Sequence, residues 1–273
     1  MNRLLPLLLF TLLFRGTASA QDVDVDNLLQ WTSTVGGMLY SYHEAFERAI
    51  VAVSSHADEE VPDLYGAGPQ GDGAWSFSFG DLEADTTFVI TYGLVVSGTG
   101  EVTRFEHFED RREASPHHTA VARALRNVRQ DFEELRNDTD DFLAESYRIA
   151  VLPFPRTGLT SFVYPAQTRP GVTLTGNDVM YSLDRRTGEI QNRRRYQHSL
   201  MAMPTNIPED GKAAVAIQPT PLPSPVHVMN AMMREAPLAV LADLGVFLIA
   251  GDGSIEVLED DDPRARALKD EFG

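Results

Sequence analysis

Residues 74–109 read AWSFSFGDLEADTTFVITYGLVVSGTGEVTRFEHFE, and the spacing of their apolar residues decides the fold class. In the first run, aromatic residues alternate with serines, a pattern that places the rings on one face of a β-strand. A β-branched run follows, and a third, alternating run begins after Gly98–Gly100, a sequence typical of a hairpin turn. The stretch therefore predicts an antiparallel meander.

A long helix is predicted directly after this meander. Ser115 can cap the free backbone amides of a helix, and Pro116 at the first helical position sacrifices no hydrogen bond. Apolar residues then recur at helical spacing through residues 121–135, while arginines and a glutamate occupy the other face. This amphipathic pattern predicts a long central helix.

The segment before the meander gives a mixed pattern. Residues 36–43, GGMLYSYH, alternate aromatic and polar residues and predict a short strand. A helix is predicted next, since Phe46, Ile50 and Val53 lie at helical spacing. Residues 63–74, DLYGAGPQGDGA, are rich in glycine and proline and predict a loop.

The second half of the chain predicts strands around one further helix, which begins at Ser224-Pro225. The fold class is therefore α+β, with antiparallel sheets, a long central helix and a short helix in the C-terminal half. Residues 21–258 are predicted to form a single α+β domain, with two lobes, 21–140 and 141–258, as the alternative. Residues 259–273 are a charged tail.

The first 20 residues predict a secretory signal peptide. Arg3 supplies a positive charge, residues 4–14 are an apolar run too short to span a membrane, and Ala18–Ala20 is a small-residue cleavage site. The mature chain is expected to begin near Gln21 and to be periplasmic or secreted. No later apolar run is long enough for a membrane span, so a soluble mature chain is predicted.

The charge and cysteine content exclude several classes of function. The chain has 23 basic and 40 acidic residues, a net charge of -17, and no cysteine. An acidic surface repels phosphate backbones, which disfavours nucleic acid as a partner. The absence of cysteine excludes disulfides, cysteine nucleophiles and thiolate zinc sites. No cofactor is predicted, and the partner is an unidentified protein or small molecule.

No strong catalytic or nucleotide-binding motif occurs, and the candidate catalytic residues are His227, His198 and Asp178. His227 falls in the first turn of a helix capped by Ser224, where the helix dipole keeps an imidazole neutral and able to accept a proton or bind a metal. The alternative is that His227 covers the edge of the core. Asp178 follows a glycine turn and could be a general base, or it could accept backbone hydrogen bonds in an Asx-turn.

The candidate ligand-binding residues are Arg193 and Arg195, in the strand RRRYQH at residues 193–198. Alternation places both guanidinium groups on one face, where they could pair with a carboxylate ligand. The alternative is that this basic strand balances an acidic surface. No metal site is predicted, and His198 and His227 are the weak candidates for metal ligands.

Four blocks of the chain together resemble an uncharacterised family of exported, proteobacterial-type proteins. The blocks are residues 36–50, 151–168, 175–200 and 224–258. In such relatives we expect a second glycine where Asn177 stands here. The resemblance implies export but no activity.

The C-terminal block is also faintly similar to the layout of the JAB/MPN isopeptidases. His198 occupies the place of a histidine of that layout, and His227 stands near the position of its metal-binding aspartate. The resemblance implies a divergent metal-dependent hydrolase using His198, His227 and Asp178. The second histidine of the His-x-His motif is missing, so our first hypothesis is a non-catalytic binding or interaction module and the hydrolase is the alternative.

Overall fold

The computed structural model describes residues 24–56, 61–84, 86–139, 142, 144–154, 158–196, 200–205 and 213–272. Four helices lie within these residues: α1 (Val25–Ser54), α2 (Pro116–Asp138), α3 (Pro225–Arg234) and α4 (Pro263–Phe272). The same residues form fourteen strands: β1 (Leu64–Gly71), β2 (Ala74–Glu83), β3 (Thr87–Val96), β4 (Val102–Glu113), β5 (Tyr147–Phe154), β6 (Gly158–Pro165), β7 (Val172–Gly176), β8 (Val179–Leu183), β9 (Ile190–Arg195), β10 (Leu200–Pro204), β11 (Ala214–Ile217), β12 (Leu238–Ala242), β13 (Gly245–Ile249) and β14 (Ile255–Leu258). The predicted signal peptide lies outside the described residues.

The predicted meander is confirmed as part of an antiparallel sheet with the strand order β1-β2-β3-β4. Trp75 of β2 lies opposite Val96 of β3, and Phe77 lies opposite Leu94. These four side chains are buried, because cross-strand partners point to the same face and that face covers the core. The alternation in the sequence is therefore the alternation between core and outer face.

Three further sets of strands complete the fold. A second antiparallel sheet has the order β5-β6-β8-β9, and β7 pairs with β10 in a two-stranded ribbon. The third four-stranded sheet has the order β11-β12-β13-β14, with β11 parallel to β12 and the other neighbours antiparallel. The α+β class is confirmed, and β11–β12 is the one parallel pair among the described strands.

Helix α1 joins two hydrophobic cores. The larger core takes residues from α1, α2 and the first two sheets, including Phe77, Leu125 and Phe162. The chain on both sides of residue 140 therefore contributes to one buried cluster. The smaller core joins Leu29 of α1 to α3 and the third sheet. Because α1 contributes to both cores, it positions α3 relative to the first sheet.

The predicted strand at residues 36–43 is wrong, because α1 continues through this segment. A Cβ atom on Gly36 would lie 2.6 Å from Cγ1 of Val228 and 2.9 Å from the carbonyl oxygen of Pro225, both in α3. Glycine at this position therefore permits α1 and α3 to pack closely. His43 in the same segment is buried.

The predicted loop at residues 63–74 is also wrong, because β1 occupies most of it. A Cβ atom on Gly66 would lie 2.7 Å from the Cα atom and from the carbonyl oxygen of His118 in α2. The glycines that suggested a loop instead allow β1 to pack closely against α2.

The helices predicted from Ser115-Pro116 and Ser224-Pro225 are observed as α2 and α3. The amide of His118 donates to Ser115 Oγ over 3.2 Å, as expected of an N-cap. Part of the charged tail forms α4, where Arg264 pairs with Glu256 of β14 at 2.7 Å. Among the described residues, no helix is both long and apolar enough to cross a membrane.

Candidate functional site

Two of the predicted catalytic residues converge where the β7–β8 turn meets the start of α3. Asp178 follows Asn177 in the turn, and Asn177 has a φ of 53°, a left-handed conformation that asparagine tolerates. Ser224 and His227 are the N-cap and the third residue of α3. We call Asp178, Ser224 and His227 the polar cluster; none is more than 1% exposed.

His227 completes a capping box at the start of α3. The Ser224 amide donates to His227 Nδ1 over 3.2 Å, and burial lowers the pKa of the imidazole to about 4. The ring is therefore neutral near pH 7, and since Nδ1 accepts a hydrogen bond, the proton lies on Nε2. Nε2 has no hydrogen-bond partner within the part of the chain that the structure describes.

Asp178 is a buried carboxyl group without a normal hydrogen bond. Burial raises its pKa to about 6, and the neighbouring Ser224 hydroxyl and the charge of Arg195 partly oppose this shift. Neither carboxyl oxygen meets the distance and angle limits of a hydrogen bond to any described residue. The hydrogen bonds of an Asx-turn, considered from the sequence, are therefore not formed by this side chain.

The two candidate arginines take different positions. Arg195 donates to Asn177 Oδ1 over 3.3 Å, and its guanidinium carbon lies 4.3 Å from the ring centroid of Phe142. Arg193 donates to Asp131 of α2 over 2.7 Å. Arg195 therefore adjoins the polar cluster, whereas Arg193 joins β9 to α2.

The polar cluster does not present an accessible hydrolytic site. The Ser224 hydroxyl lies 3.3 Å from His227 Nδ1, but Ser224 is fully buried and Nδ1 already accepts the amide of the capping box. Among the described residues, no group of three or more histidines, aspartates or glutamates could hold a metal. His198 lies outside the described residues, so its pairing with His227 stays a prediction.

A second site, which the sequence analysis missed, is a cleft of about 310 Å³ between α1, β1, α2 and β5. Five aromatic side chains line it: Phe46, Tyr65, Phe79, Phe132 and Tyr147. Three arginines line it as well: Arg129, Arg136 and Arg148. We call this site the aromatic cleft. Its elements come from residues about a hundred positions apart, and they meet because β1 lies against α2 in the larger core.

The three arginines of the aromatic cleft differ in their ion pairs. Arg148 lies 2.8 Å from Glu47, and Arg129 lies 3.9 Å from Asp63. Arg136 has no ion pair with any residue that the structure describes, and its guanidinium carbon lies 5.8 Å from the ring centroid of Tyr147. Arg136 is therefore the cation most available to a ligand.

The buried tyrosine hydroxyls at the cleft are already engaged. The Tyr42 hydroxyl donates to Tyr65 Oη over 2.6 Å, and the Tyr65 hydroxyl donates to the carbonyl oxygen of Ile149 over 2.7 Å. Burial raises the pKa of Tyr65 to about 12, so this phenol stays neutral. Recognition of a charged ligand in the cleft therefore falls to the arginines.

The sequence of α2 carries a signal for this cleft. Arg129 and Arg136 are seven residues apart on α2, with Phe132 between them. Positions separated by seven residues lie two turns apart on one face of a helix. Both arginines lie beside Phe132, at the edge of the apolar stripe, and this is a pattern typical of a mixed apolar and cationic surface.

A half-buried histidine, His118, is expected to make the protein sensitive to acid. Burial, and less strongly His117, lower the pKa of His118 to about 4, and its two ring nitrogens lie 2.8 and 3.2 Å from the hydroxyls of Ser78 and Ser76. The unfolded chain binds a proton near pH 6.5 and the folded chain does not, so stability falls as the pH falls from about 6.5 to 4.

The variant His118→Gln tests this expectation. Urea unfolding at intervals of half a pH unit should show a smaller loss of stability between pH 6.5 and 4.5 than in the unmodified chain, by about 1–3 kcal/mol. An identical pH dependence in the two chains would contradict the assignment of His118 as an acid-sensitive group.

Comparison of the chain with family models, with curated proteins and with solved structures found no match.

Proposed function

We propose that this protein is an exported, non-catalytic binding protein and that the aromatic cleft is its ligand site. The leader at residues 1–20 supports export to the periplasm or the exterior. The observation that carries the binding function is a cleft lined by five aromatic side chains and three arginines. Small-molecule sites are concave and combine aromatic side chains with a few well-placed polar groups, and both kinds of side chain line this cleft.

The polar cluster is connected to the aromatic cleft through Arg195 and Phe142. Phe142 contacts Tyr147 and Phe132 of the cleft, with ring centroids 5.9 and 5.0 Å apart. Arg195 also contacts Phe142, with its guanidinium carbon 4.3 Å from the ring centroid, and adjoins Asp178. Arg195 is half-buried and His227 is buried, so the region where the sequence suggested a ligand adjoins Phe142 but does not line the cleft.

The divergent metal-dependent hydrolase stays a hypothesis with less support. It requires His198, His227 and Asp178 to meet at a metal that a substrate can reach. His227 and Asp178 are buried, and His198 lies outside the described residues.

A pair of tryptophan variants tests the binding function. Ile50 of α1 lines the cleft, whereas the next residue, Val51, is 66% exposed. Ile50→Trp should fill the cleft and reduce the affinity of compounds found in a thermal-shift screen of small organic molecules by about 10-fold or more. Val51→Trp adds the same side chain outside the cleft and should leave those affinities unchanged.

Two results would overturn this proposal. One is a set of screening hits that bind Ile50→Trp as tightly as the unmodified chain. The other is hydrolysis of peptide or ester substrates by the purified chain that is abolished in His227→Ala while the circular dichroism spectrum is retained.

A further inference from the structure

We propose that the aromatic cleft selects a small organic anion with one negative charge on an aromatic body, such as an aromatic carboxylate. This inference rests on the proposed binding function and adds the chemical class of the ligand.

The walls of the cleft favour a flat ring. The Phe46 and Tyr65 ring centroids are 4.7 Å apart with an interplanar angle of 39°, and those of Phe132 and Tyr147 are 4.9 Å apart with an angle of 59°. The two rings of each pair therefore contact each other, and a ligand ring can pack against the edges or faces that they leave open to the cleft. A volume of about 310 Å³ suits one or two fused rings.

The ion pairs of the cleft favour a single negative charge. Glu47 compensates Arg148, and Asp63 lies near Arg129. Arg136 lines the cleft and has no carboxylate partner among the residues described. A planar guanidinium binds a carboxylate through two parallel hydrogen bonds, and the neighbouring apolar rings strengthen that attraction by excluding water.

Two carboxylates line the cleft: Asp63 lies near Arg129, and Glu133 provides a control of opposite sign. Glu133 also lines the cleft, is exposed, and lies three residues before Arg136 on α2. Its charge repels an anion, but solvent and salt screen exposed charges. We therefore expect Arg136 to produce the preference for an anionic over a neutral ligand, and Glu133 to reduce that preference.

The test compares three probes of nearly equal shape by calorimetry with the full mature chain at low ionic strength. The probes are 2-naphthoate, the neutral 2-naphthamide and the cation 2-naphthylmethylammonium. We expect 2-naphthoate to bind with a Kd below about 1 mM and at least about 10-fold more tightly than the amide, with the cation weakest.

Three variants assign the selectivity to its residues. Arg136→Gln should reduce the preference for the anion over the amide to about 2-fold or less, and Glu133→Gln should tighten anion binding about 2-fold or more. Arg104→Gln is the control, because Arg104 lies on β4, is paired with Glu106 and does not line the cleft. It should leave the preference unchanged.

The outcomes separate the two proposals. Equal binding of the anion and the amide, or preference for the cation, overturns the ligand class and leaves the cleft as a binding site. A preference for the anion that persists in Arg136→Gln overturns the role of this arginine in selection. If none of the three probes binds and the general screen gives no hit that Ile50→Trp weakens, both the ligand class and the proposed binding function fail.

Discussion

Replacing Gly36 by alanine is expected to destabilise the protein by about 2–3 kcal/mol, although alanine is the better helix former. The added methyl group would lie 2.6 Å from Val228 Cγ1 and 2.9 Å from the Pro225 carbonyl oxygen. The carbonyl oxygen belongs to the first turn of α3 and cannot move without moving the helix that carries His227. The clash must therefore separate α1 from α3.

Gly37 provides a matched control for this prediction. A Cβ atom on Gly37 would have no neighbour within 4 Å, so Gly37→Ala should gain about 0.5–1 kcal/mol from helix propensity alone. Measured by chemical unfolding, the free energy of unfolding should fall below that of the unmodified chain in Gly36→Ala and rise above it in Gly37→Ala. Equal effects of the two substitutions would contradict the close packing of α1 on α3.

The second large effect is a stabilising one. Asp178→Asn is expected to raise the free energy of unfolding at pH 7.5 by about 2–3 kcal/mol, because it removes a buried carboxylate. Burial raises the pKa of Asp178 to about 6. The folded chain therefore binds a proton between about pH 4 and 6 that the unfolded chain has released, and the contribution of Asp178 to stability is lost as the pH rises through 6.

The pH dependence distinguishes this cause from a packing effect. The gain from Asp178→Asn should be near zero at pH 4 and reach its full size above about pH 7. Asp184→Asn is the opposing control, because Asp184 accepts hydrogen bonds of 2.8 Å from the amides of Arg186 and Thr187, which lower its pKa. That variant should lose stability. A loss in Asp178→Asn at pH 7.5 would show that the buried carboxylate is stabilised by its surroundings.

The parts of the fold that the sequence predicted are those whose burial follows one regular period. In β2, Trp75 and Phe77 face the core and alternate with serines, so the sequence pattern predicted the strand. Helix α1 was misread near Gly36 because it is covered by the first sheet on one side and by α3 on another. A helix buried on several faces loses the single apolar stripe that identifies it.

Of the two candidate sites, the sequence predicted residues of the polar cluster but not the aromatic cleft. Asp178 and His227 were found because a glycine turn and a helix cap are local features of the sequence. The aromatic cleft was not found because Phe46, Arg136 and Arg148 lie on three elements far apart in the chain. Their proximity depends on tertiary packing, which local periodicity does not specify.

The central claim, that the aromatic cleft is the ligand site, is tested most directly by methyl NMR of the isoleucine-labelled chain titrated with 2-naphthoate. Ile50 and Ile149 line the cleft, whereas Ile249 is buried in the smaller core and Ile255 packs against that core. Our account predicts saturable shifts of the Ile50 and Ile149 methyl signals, with the Ile249 and Ile255 signals unmoved. Saturable shifts confined to Ile249 and Ile255 would place the ligand elsewhere and contradict the claim.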